Sequence, residues 1–190
     1  MNRWRVLKKV SKEKFQPCIS KSAKINPKAE ISGKVFIDDE VNIGKSKLIA
    51  EDGCSIFVGK AATIKDCVLI SNKNHKFDFG KLSVRDIHIG NKVFISSDVS
   101  IYGSTVISDG AFIGNNTTIV NSKIGQNCVI EDRVFLKNIV IPPGAYIPSK
   151  SIVDSNEKLK ELIIKINQGD FCDLAKAVWK CKRKFFPSAL

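Results

Sequence analysis

An aliphatic residue recurs every six positions through most of this chain. Ile19, Ile25, Ile31, Ile37, Ile43 and Ile49 run without a break, and Val58, Ile64 and Ile70 resume the phase after a three-residue insertion around Asp52 to Cys54. Ile89, Ile95, Ile101, Ile107, Ile113 and Ile119 follow a longer interruption from Ser71 to His88. Shortened steps then reset the phase to Ile124, Ile130 and Leu136, and to Ile141, Ile147 and Val153. Six is neither the helical period of 3.6 nor the simple alternation of a half-buried strand.

The positions around each aliphatic explain the number. Two residues earlier the side chain is mostly small or β-branched, as at Ala23, Ala29, Val35, Val41, Ala62, Val68, Val93, Val99, Ala111, Thr117, Ser122 and Val134. Just after it comes a turn former in many copies, among them Asn26, Asp38, Gly44, Gly59, Gly90, Gly114 and Gly125. The unit is a short strand followed by a tight turn. Three units close one triangular coil whose branched side chains stack inside in ladders, which is a parallel β-helix of hexapeptide repeats. Residues 17–154 hold about seven such coils. A coil cannot bury its own inner face, so caps are expected at the ends.

The flanks divide the chain further. Residues 1–16 form a basic N-terminal segment, and 155–190 a helical segment with a basic tail. Ser155 is placed to N-cap a helix with Leu159, Leu162, Ile163 and Ile166 on one face, stopped at Gly169. Asp170 is placed to cap a second, with Phe171, Leu174, Ala175 and Val178 on one face. The fold class is therefore all-β, a parallel β-helix with C-terminal α-helices.

No run approaches 18 apolar residues, and the start MNRWRVLKKVSKEKF lacks the apolar stretch of a secretory signal. A cytoplasmic or organelle-interior protein is expected, neither secreted nor transmembrane. The six cysteines, 18, 54, 67, 128, 172 and 181, form no C-x-x-C pair and no Cys/His cluster with zinc spacing. Buried free thiols are expected.

The stretches AEDGCSIFVGKAATIKDCVLIS, IHIGNKVFISSDVSIYGS, AFIGNNTTIVNSKIGQNCVIEDRVFL and IVIPPGAYIPSKSIV resemble, in order and spacing, the γ-class carbonic anhydrases and the related carboxysome-associated domain. The resemblance covers residues 17 to about 154 and implies a left-handed coil and a homotrimer. It also implies zinc or iron held between subunits on three histidines. The positions matching those ligands are Ser71, Ser97 and Tyr102. None is an imidazole, and a hydroxyl or phenol must lose a proton of far higher pKa to bind a dication comparably. The family's active-site arginine falls at Ile49, the following aspartate at Glu51, and the glutamine near the metal at Lys65. A lysine there opposes a dication by about 1–4 kcal/mol at surface-like dielectric. The resemblance therefore implies a relative without its metal: no cofactor and no active carbonic anhydrase are expected.

Only two histidines exist, His75 and His88, too few for a three-histidine site in one chain. His88, at the edge of the long interruption, reads as a surface or interface residue. His75 lies in SNKNHKFDFGKLSVRD, and hexapeptide acyltransferases place a general base in a comparable loop. An acyltransferase using His75 is thus the alternative reading, although the Asn-Pro-Ala ending of many such enzymes is absent and Phe94 replaces their tryptophan. A carbonic anhydrase with a shifted metal site is a third. No phosphate-binding glycine loop is present.

Lys and Arg outnumber Asp and Glu by 31 to 19, a formal charge of +12. RWRVLKK near the start and WKCKRKFF near the end interleave cations with aromatics. That pattern suits an anionic membrane surface or an acidic protein partner. Nucleic acid is not expected, because no base-reading motif accompanies the charge. Together these features point to a trimeric scaffold, a homotrimer or a heterotrimer with related subunits, acting in assembly of a larger complex.

Overall fold

The computed structural model describes residues 15–72, 77–78, 83–84 and 86–168. The chain winds through three faces, each a seven-stranded sheet whose neighbours are successive coils. All pairings between coils are parallel, because each coil returns to the same face travelling in the same direction.

The inner ladder of the first face is Ile19, Ile37, Val58, Ile89, Ile107, Ile124 and Ile141. That of the second is Ile25, Ile43, Ile64, Ile95, Ile113, Ile130 and Ile147. From the second coil onward no member of these two ladders is more than 4% exposed. Burying each such side chain stabilises the fold by about 1.5–3 kcal/mol, and the β-branched shapes suit the pleat.

The third face departs from the sequence expectation in two coils. Its inner ladder is Ile31, Leu48, Leu69, Ile101, Ile119, Leu136 and Val153. Leu48 and Leu69 are fully buried, whereas Ile49 and Ile70, which continue the six-residue count, are half-buried and point outward. The cause is the corner before them. Ser46 N–H donates to the Gly44 carbonyl at 2.8 Å, so this corner is one residue shorter than the one at Ser96–Asp98. The inward small positions accordingly fall on Ser46 and Cys67, each 2% exposed, and Val68 turns outward. The residue saved at the corner lengthens the strands to four, Lys47–Ala50 and Val68–Ser71.

Corners stack as regularly as strands. Ala61, Lys92 and Asn127 adopt φ of 56°, 54° and 54°. Each donates its N–H to the corner of the coil beneath: Ala61 to Asp39 O at 2.9 Å, Lys92 to Lys60 O at 2.8 Å and Asn127 to Asp109 O at 3.0 Å. A left-handed residue other than glycine costs of order 1 kcal/mol, and the repeated coil-to-coil bonds offset it. At Gly33, φ is +82° and a Cβ would stand 1.9 Å from the Ala50 carbonyl oxygen, so only glycine fits.

The C-terminal cap follows the sequence. Ser155 Oγ accepts the Lys158 N–H at 3.3 Å and opens a helix, α1 (Asn156–Gln168). Leu159, 7% exposed, joins the core that ends at Val153, with Leu162 packed against it. Gly169 and the helix expected after Asp170 lie outside the described residues. The interruption between Ser71 and His88 carries an antiparallel pair, Phe77–Asp78 with Ser83–Val84. Cys54, Cys67 and Cys128 are buried free thiols, as expected, but Cys18 is exposed; Cys172 and Cys181 lie outside the described residues. Burial pushes the Cys67 thiol up to about 12. Among the described residues no helix is long and apolar enough to cross a membrane.

Candidate functional site

The six positions singled out by the resemblance fall at the two edges of the third face. Ser71 ends the strand Val68–Ser71, is fully buried, and shares the inward side with Leu69. Its register partner is Ala50, also buried, and its carbonyl accepts the Glu51 N–H at 3.0 Å. The shortened corner therefore turns this position into the prism.

Tyr102 ends the strand Ser100–Tyr102 and points outward. Its register partners are Ile70 on one side and Val120 on the other. Its carbonyl is held by Asn121 N–H at 3.2 Å and Thr105 Oγ1 at 3.1 Å. Ile49 stands beyond Ile70, and the outward row reads Ser32, Ile49, Ile70, Tyr102, Val120, Lys137. Its middle four members form a continuous half-buried apolar column.

Ser97 and Lys65 lie on the other edge, at the corner between the second and third faces. Ser97 is half-buried and its carbonyl accepts the Asn116 N–H at 3.1 Å. Lys65 holds its Nζ 5.5 Å from the Phe94 ring centroid, a cation–π contact that draws its charge onto the second face. Glu51 is exposed at the opposite corner, where it lines a cleft of about 800 Å³ with Phe15, Lys34, Asp52 and Asp86. Within one chain the structure brings Ile49, Ile70, Tyr102 and Val120 together. It does not bring Ser71, Ser97 and Tyr102 together.

These residues do not fit the zinc or iron that the resemblance implies. One hydroxyl faces the interior, the phenol lies between two aliphatic side chains, and neither Ser71, Ser97 nor Tyr102 offers an imidazole or carboxylate. Among the described residues no group of three His, Cys, Asp or Glu is placed to hold a metal ion.

His88 is half-buried on the outward side of the first face, stacked on Phe57 at 4.6 Å and 17°. Phe57 stacks in turn on Phe36 at 4.9 Å and 6°. Burial holds the imidazole below its ordinary pKa, and the Asp86 carboxylate opposes the shift. The ladder was readable in principle, since Phe36, Phe57 and His88 each precede an inner aliphatic by one residue. A second feature missed from sequence is the corner pair Asn121 and Asn138, where Asn121 Nδ2 donates to Asn138 Oδ1 at 3.3 Å. His75 lies outside the described residues.

No protein-family model matches the chain. It is 30% identical over 161 residues to the carbonic anhydrase of Methanosarcina thermophila, spanning 79% of this chain and 65% of that protein. It is 28% identical over 150 residues to the carboxysome assembly protein CcmM of Nostoc sp., spanning 76% of this chain and 26% of that protein. The chain thus spans less than two thirds of these relatives' own lengths. Among solved structures, a putative acetyltransferase from Bacillus cereus superposes with a TM-score of 0.61 at 22% identity, over 88% of this chain and 94% of that one; that likeness shows the fold. The chain is a parallel β-helix of hexapeptide repeats, similar in sequence to a carbonic anhydrase and to CcmM.

Proposed function

We propose that this chain is a metal-free, catalytically silent member of the family, acting as a trimeric structural subunit in the assembly of a larger complex. The observation that carries the reading is the outward column of Ile49, Ile70, Tyr102 and Val120. Where the resemblance implies an arginine and a histidine there is a continuous apolar strip, and Ser71, at the first ligand position, is buried in the core. A strip of that kind has packing value and no group that can hold or ionise water near neutral pH. It suits contact with a neighbouring subunit, either another copy or a related chain. The assembly role of CcmM supports the same direction, and a rigid prism offers flat docking faces without chemistry.

Stopped-flow CO2 hydration, run with metal analysis on protein purified without chelators, tests the reading. The expectation is no turnover above buffer and no stoichiometric zinc or iron. Turnover with bound metal overturns it. Light scattering tests the trimer separately, with Tyr102→Asp and Ile70→Asp expected to give monomers.

A further inference from the structure

We propose that the first coil of the prism is a docking face for anionic lipid headgroups. Over residues 15–34, the first coil and the opening residue of the second, four exposed lysines, Lys21, Lys24, Lys28 and Lys34, stand against a single acid, Glu30. Glu30 is engaged by Lys47 of the next coil at 3.0 Å. The other described residues, from 35 to 168, carry twelve Lys and Arg against fifteen Asp and Glu. Among the described residues the net excess of positive charge thus lies at this end.

The same coil leaves open an inner-ladder position that every later coil covers. Ile19 is 41% exposed, while the residues stacked above it in the first ladder are at most 4% exposed. Phe15 is 61% exposed, and Lys34 holds its Nζ 5.8 Å from that ring. The sequence before Phe15 extends the pattern, with Arg3, Arg5, Lys8, Lys9, Lys12 and Lys14 against Glu13, and Trp4 between two arginines.

Charge decides what can cover this face. A second copy stacked end to end brings the same lysines against themselves, and the chain's own residues 1–14 bring further cations. An acidic peptide entering the cleft that Phe15 and Lys34 line meets Glu51, Asp52 and Asp86 inside it. A planar anionic surface touches only the end coil. Its headgroups receive the lysines on their long stems, and Phe15 and Ile19 reach the acyl boundary.

Co-sedimentation of the full chain with vesicles of phosphatidylcholine alone, or with 30% phosphatidylserine (by choice of about that fraction), tests this. Binding is expected only to the anionic vesicles and is expected to fall steeply as salt rises. Lys21→Gln, Lys24→Gln, Lys28→Gln and Lys34→Gln combined should weaken it at least roughly a hundredfold, since each surface lysine contributes about fivefold. Lys137→Gln, Lys150→Gln and Lys160→Gln at the far end should leave it unchanged, and circular dichroism on both sets reports folding. Should the first set misfold, Phe15→Ser alone should still weaken binding. Equal binding to both vesicles, undiminished binding by the folded first set, or capture by polyglutamate with none by vesicles would overturn the proposal.

Discussion

Ile70 and Tyr102 are register partners on the outward side of the third face, although the six-residue count would set Ile70 against Ile101. The coincidence is produced by the shortened corner, which moved Leu69 inward and delivered Ser71 to the core behind it. The shortened corner thus leaves Ser71 packed inside and the Tyr102 ring beside an aliphatic column.

The register itself can be checked by truncation. Leu48→Ala removes a fully buried side chain and should destabilise by about 2–5 kcal/mol. Ile49→Ala, on the half-buried outward side, should cost about 1 kcal/mol or less in the isolated chain. Urea unfolding of both variants decides; the reverse order would mean that the inner ladder runs through Ile49.

Restoring a histidine at the first ligand position should harm the protein and recover nothing. Ser71 is fully buried on the inward side, so Ser71→His forces an imidazole into a packed core at about 1–3 kcal/mol. A lowered urea midpoint without zinc uptake is expected. An unchanged midpoint with zinc bound would place that side chain on the surface.

Glycine at the tight corners should rank by space. Gly33→Ala meets the Ala50 carbonyl at 1.9 Å as well as a φ of +82°, and should cost more than about 2 kcal/mol. Gly144→Ala has a φ of +71° with nothing within 4 Å, so only the backbone strain of about 1–2 kcal/mol applies. Thermal melts of the two variants should separate them.

His88 should give the fold a pH dependence of known sign. Its folded pKa lies below the unfolded value near 6.5 because burial against Phe57 disfavours the imidazolium. The unfolded chain therefore takes up the proton first, and stability present above pH 6.5 is lost as pH falls towards the folded value. His88→Phe preserves the stack and removes the titration. The difference in melting temperature between pH 7.5 and 5.5 (about one unit on either side of the ordinary value) should be smaller in that variant than in the wild type.

The sequence by itself determined the architecture. A branched aliphatic every six residues, a small side chain two before it and a turn former after it leave a parallel β-helix as the arrangement that buries them all, and Ser155 marks where the coil gives way to a helix. That Ser71, Ser97 and Tyr102 are not histidines was equally plain, because residue identity is what a sequence states. The tertiary structure decided which side each residue faces. Leu48 and Ile49, or Leu69 and Ile70, are interchangeable in a hydrophobic pattern, and a corner one residue shorter flips the strand without leaving a mark in composition. The same holds for charge. A net of +12 is visible in the sequence, but only the stacking order shows that Lys21, Lys24, Lys28 and Lys34 stand at an open end of the prism, because among the described residues no coil packs beneath the terminal strands.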